Sequence, residues 1–149
     1  MKKRINTEII INASAETVWN ILTDLAAYPE WNPFIIKIEG TLLKGNRLRN
    51  TLRNGSKTIV FKPIIQEVTP LVSFSWLGSL FVKGIFDGKH FFKIEPAGPN
   101  QVKLIHGEEF SGLLSAMILK KIADDTRENF VRMNQALKER AEAKNSISR

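Results

Sequence analysis

Two histidines and a glutamate stand in this sequence where strands should carry their packing residues. In LIHGEEFSGLL, Leu104 to Leu114, strand alternation puts Leu104, His106, Glu108 and Phe110 on one face and Ile105, Gly107, Glu109 and Ser111 on the other. The preceding strand repeats the pattern, with Phe86, Gly88, His90, Phe92 and Ile94 sharing a face. Three groups able to move protons are thus expected to point inward from adjacent antiparallel strands. A buried glutamate with a raised pKa can act as general acid or base, and a histidine beside it can orient it or relay its proton. The same trio can instead anchor a ligand in an apolar cavity, or satisfy itself as a closed polar cluster, because unpartnered polar groups in a dry core cost several kcal/mol. A strand bulge could also tip the three toward solvent. No metal site is expected: cysteine is absent and the two histidines have no HxxxH or HExxH spacing.

The elements that must hold these groups follow from periodicity. Lys3 to Asn12 is rich in isoleucine and reads as a strand, and Ser14 is placed to cap a short helix carrying Val18, Ile21, Leu22 and Leu25. Tyr28-Pro29 and Asn32-Pro33 should end that helical region. Strands are then expected at Phe34 to Thr41, Arg47 to Arg53, Lys57 to Val68, Leu71 to Leu77, Lys83 to Glu95 and Gln101 to Ser111. Asn54-Gly55 is the strongest hairpin signal among them. Beyond Gly112 the period changes to that of a helix, with Leu119, Ile122, Thr126, Phe130, Met133 and Leu137 in one stripe from about Leu113 to about Ala143. The expected fold is α+β: a curved antiparallel sheet of about seven strands wrapped around a long C-terminal helix, with two short helices after the first strand.

Composition fits one domain spanning residues 1–149, with a frayed tail over 144–149. Hydrophobic residues make up 43% and charged residues 25%, and no apolar run approaches a membrane span. The opening MKKRINTEIIINAS reads as the first strand of a cytoplasmic protein rather than a leader. The net charge of +7 is uneven, because no acidic residue falls between Glu39 and Glu67 while Arg47, Arg49 and Arg53 share a strand face there. That face is a solvated outer surface or a contact for anionic surfaces. Specific nucleic-acid binding is not expected, since no reading module accompanies the charge.

SAETVWNILTDLAAYPEWNPFI, Ser14 to Ile35, resembles the opening of the polyketide cyclase/dehydrase branch of the START-like (SRPBCC) superfamily, which has the helix-grip fold of the birch pollen allergen. GKHFFKIEP and LIHGEEFSGLL resemble the same branch in its H-x-F-x-x-E-P strand and its H-x-E-x-F-x-G-L-L strand. The resemblance implies a cavity between sheet and C-terminal helix for a lipid, polyketide or sterol-like molecule, with Trp31, Asn32 and Pro33 shaping its entrance. It implies no catalytic set and no cofactor. The expected ligand-binding residues are Trp31, Phe34, Phe61, Trp76, His90, Phe92, His106, Glu108, Phe110, Leu119, Ile122, Thr126 and Phe130. A carrier or sensor of such a molecule is the first expectation. The alternative is a cyclase, dehydratase or hydrolase using Glu108 with His106 or His90.

Overall fold

Burial alternates along the first strand, Lys3–Ile11 (β1), where Ile5, Thr7 and Ile11 face inward and Asn6, Glu8 and Ile10 face out. The computed structural model describes residues 3–80 and 82–147. After β1 the Ser14 hydroxyl accepts from the Thr17 amide at 3.1 Å and opens helix α1, Ala15–Thr23. A single 3-10 turn over Leu25–Ala27 leads into a second short helix, α2, Tyr28–Trp31. Here expectation needs correcting, because Pro29 opens a helix rather than stopping one. In the first turn a proline's missing N–H would have had no intrahelical partner. The buried Tyr28 hydroxyl donates to the Leu22 carbonyl at 2.7 Å, tying the two helices together.

Among the described residues eight strands follow the order β1, β2 (Ile35–Glu39), β3 (Arg49–Asn54), β4 (Lys57–Phe61), β5 (Ile64–Thr69), β6 (Ser73–Leu80), β7 (Phe86–Gly98) and β8 (Gln101–Ser111). The expected single strand from Lys57 to Val68 is two, broken at Lys62-Pro63. The β3–β4 turn has Gly55 at φ 63° as its first central residue and Ser56 as its second, so Asn54 remains in the strand and pairs with Lys57.

All strand pairs are antiparallel. One sheet has the order β1-β8-β7-β6-β5 and the other β2-β3-β4. They meet at a corner, where Arg47 bridges Ile64, the Leu48 amide donates to the Pro63 carbonyl and the Ile65 amide donates to the Asn46 carbonyl. The result is one curved surface closed by α3, Ser115–Ile147. Ser148 and Arg149, the end of the expected tail, lie outside the described residues.

The core is dense at one end. Leu22, Phe74, Leu104, Met133 and Leu137 are buried where α1, the sheet and the second half of α3 converge. Along α3 the buried stripe runs Leu119, Phe130, Met133, Leu137 and Ala141, while Ile122 and Thr126 are only half-buried. That interruption is where the helix stands off from the sheet.

Candidate functional site

The register of β6, β7 and β8 fixes the site. Trp76 pairs with His90 and His90 with Glu108, while Phe92 pairs with His106 and Gly88 with Phe110. Because pairs opposite one another share a face, this lays a patch of aromatic and ionisable groups on the concave side. His90 Nδ1 lies 3.2 Å from Glu108 Oε1, and His90 Nε2 lies 2.8 Å from His106 Nε2. His106 Nδ1 is 2.7 Å from Asn134 Oδ1 on α3. Asn134 Nδ2 donates to Thr7 Oγ1 at 2.9 Å, and Thr7 Oγ1 donates to the His106 carbonyl at 2.7 Å. The inward polar trio therefore joins β1 and α3 in a five-residue chain, two members of which, Thr7 and Asn134, alternation and motif reading did not flag.

Rings enclose the imidazoles. His106 is fully buried between Phe130, stacked at 4.2 Å, and Phe92, stacked at 4.4 Å. His90 stacks on Trp76 at 5.2 Å. Burial, with the neighbouring His90 second, holds the His106 pKa well below its ordinary 6.5, so His106 is neutral. Glu108 is the exposed end of the chain, its side chain 20% accessible.

Glu108 opens into a cavity of about 190 Å³ between the two sheets and α3. Phe34, Phe61, Trp76, Phe110, Ile122 and Thr126 line it with His90 and Glu108, as expected from sequence. Further lining comes from Leu52, Ile59, Leu80 and Phe86, and from Asn50, Asn54 and Asn129. Asn129 Nδ2 donates to Asn54 Oδ1 at 3.3 Å, whereas the Oδ1 of the buried Asn50 has no partner among the described residues. Gly88 gives the carboxyl its room: a Cβ at this position would lie 1.9 Å from Glu108 Oε2.

Five expected residues fall outside the lining. Phe92, His106 and Phe130 are buried behind it, packed against His90, and Leu119 is buried on α3. Trp31 lies elsewhere, against Tyr28 and in a groove with Arg140 and Lys144. Asn32 beside it is an element of turn construction, its Oδ1 accepting from the amides of Phe34 and Ile35 at 2.9 and 2.8 Å as β2 begins. Of the basic face, Arg49 pairs with Glu39 at 3.0 Å and Arg47 donates to the Lys62 carbonyl, while Arg53 is exposed. Among the described residues no group of histidine, aspartate and glutamate is placed to hold a metal, and no helix is long and apolar enough to cross a membrane.

A family model described as "Polyketide cyclase / dehydrase and lipid transport" matches residues 2–142. No curated protein matches. Among solved structures, a START superfamily protein from Mycobacterium smegmatis is 24% identical with a TM-score of 0.71, covering 94% of this chain and 97% of its own. An aromatase/cyclase from a Streptomyces species is 14% identical with a TM-score of 0.75, covering 95% of this chain and 94% of its own. Norcoclaurine synthase from Thalictrum flavum, solved with a transition-state analogue, is 15% identical with a TM-score of 0.75, covering 97% of each chain. At these identities the likeness establishes the helix-grip fold.

Proposed function

Because this chain belongs to the polyketide cyclase/dehydrase and lipid-transport family, we propose that it binds an apolar small molecule in the cavity between its sheet and its C-terminal helix, as a carrier or sensor. One observation carries this reading: the wall is aromatic and aliphatic, with a few polar groups converging on it, which is the general build of a small-molecule site. At about 190 Å³ the volume is below the roughly 300–1,000 Å³ of drug-sized sites, favouring a ligand of one or two rings over a four-ring skeleton. The cytoplasm is the proposed compartment.

Native mass spectrometry of freshly purified protein, set against its denatured mass, tests the proposal. A reproducible added mass that disappears on denaturation is the expected result. A bare chain whose tryptophan emission also ignores a panel of one- and two-ring aromatics would overturn it.

Proton-transfer catalysis is the second reading, favoured by the Glu108–His90–His106 chain facing the cavity. There Glu108 would exchange a proton with the ligand while His90 orients the carboxyl. Unchanged turnover in Glu108→Gln, once a substrate is in hand, would remove that role.

A further inference from the structure

The hydrogen bonds behind Glu108 can run in only one direction, and that direction determines what the cavity meets. Thr7 spends its single proton on the His106 carbonyl, so its oxygen accepts from Asn134 Nδ2. Asn134 Oδ1 is then an acceptor, and His106 must supply the proton at Nδ1. A neutral His106 bearing that proton has a bare Nε2, which at 2.8 Å requires a proton on His90 Nε2. One contact remains, His90 Nδ1 with Glu108 Oε1 at 3.2 Å. It holds one proton, whether written as acid and imidazole or as carboxylate and imidazolium. In both forms the proton lies between Oε1 and Nδ1, leaving the other oxygen bare.

That other oxygen, Oε2, sits over the Cα of Gly88, itself part of the cavity wall. The rest of the wall adds no positive charge, because neither lysine nor arginine lines the cavity among the described residues. A carboxylate or phosphate entering here would face the bare Glu108 oxygen with no lysine or arginine to neutralise it.

Resting on the apolar-ligand reading above, we propose that Glu108 and His90 share one proton, and that the bare Glu108 oxygen selects an uncharged ligand carrying an O–H or N–H donor on an apolar ring. Fatty acids and phospholipids are excluded by the same geometry. The selective element is the whole chain from Thr7 to Glu108, because each link fixes the donor sense of the next.

Binding of three matched probes to the intact protein, followed by tryptophan quenching and calorimetry near neutral pH, tests this. The probes are 2-naphthol, its methyl ether 2-methoxynaphthalene, and 2-naphthoate. The expected order is 2-naphthol tightest, the ether weaker by about tenfold or more through loss of a hydrogen bond to an ionisable group, and the naphthoate weakest. In Glu108→Leu the naphthol and the ether should bind alike. Equal binding of naphthol and ether to the native protein, or tighter binding of the naphthoate, overturns the donor inference while leaving the apolar-ligand reading standing. Failure of all three overturns the apolar-ligand reading itself, and the inference with it.

Discussion

Two glycines in the last two strands leave room for different neighbours, and substituting each with alanine separates them. A Cβ on Gly107 would meet the Ile5 carbonyl oxygen at 2.6 Å, which cannot retreat without moving β1, and the tip of the Phe91 ring at 2.7 Å. Gly107→Ala should therefore cost about 2–3 kcal/mol in urea denaturation. A Cβ on Gly88 meets only the mobile end of Glu108, so Gly88→Ala should fold with less than about 1 kcal/mol lost while displacing the carboxyl from His90. Retention of the naphthol preference in Gly88→Ala would mean that the carboxyl's placement does not matter. His106 gives a second prediction. Its folded pKa lies well below 6.5, so as pH falls the unfolded chain takes up a proton first. This contribution to stability is complete above about pH 6.5 and declines below it, by up to about 1.4 kcal/mol per pH unit, until the folded state protonates. The groups facing His106 are His90 from β7, with Glu108 beyond it, Thr7 from β1 and Asn134 from α3. Urea midpoints between pH 7.5 and 5 should fall in the native protein and fall less in His106→Gln; a flat native profile would refute a neutral buried His106. Strand alternation sufficed to turn His90, His106 and Glu108 inward, but it could not find Asn134, whose place on the far element is a product of how α3 crosses β1 and β8.

At the scale of elements, α3 does two jobs along one stripe. Met133 and Leu137 are fully buried against the dense end of the core, whereas Ile122 and Thr126 lean over open space. Leu137→Ala should cost about 2–5 kcal/mol, because a closed core cannot collapse around the missing atoms. Ile122→Ala should cost about 1 kcal/mol or less, since its side chain is half-buried, and should widen the cavity enough to raise affinity for a three-ring probe. Urea denaturation of both variants checks the contrast; equal losses would mean that the space beside Ile122 is closed in solution. Helical periodicity located this stripe but could not show its division, because period alone does not say how far a partner surface stands from the helix. The break at Lys62-Pro63 was hidden for a related reason: Lys57 to Val68 is continuously strand-like in composition, and only the corner contacts with Asn46 and Leu48 reveal two strands. Trp31 shows the converse, a residue matched by motif whose side chain α2 carries away from the cavity and toward Arg140.

For the whole molecule, the hollow half of the core sits between its two sheets, so a ligand would bridge parts that otherwise meet mainly at one corner. The sheet β2-β3-β4 is joined to the larger one through Asn46, Arg47 and Leu48, and its strand β4 is an edge whose first four residues are exposed. An edge strand with few buried side chains opens at low free energy, so β4 amides should exchange hydrogen faster than those of β7 and β8 at the centre. Leu52 and Ile59 from the smaller sheet and Trp76 and Phe110 from the larger reach the cavity, so an occupant would contact both sides. If opening of β4 releases the ligand, occupancy must slow that exchange by as much as 1 + [L]/Kd, about 100-fold at a ligand concentration 100 times Kd. Hydrogen exchange read by mass spectrometry with and without 2-naphthol should show this protection in the peptide covering Lys57–Phe61, with little change in the dense end around Leu137. Uniform protection across the chain would mean that the ligand stabilises global folding alone. No protection at β4 under saturating ligand would place the binding site outside the space between the sheets.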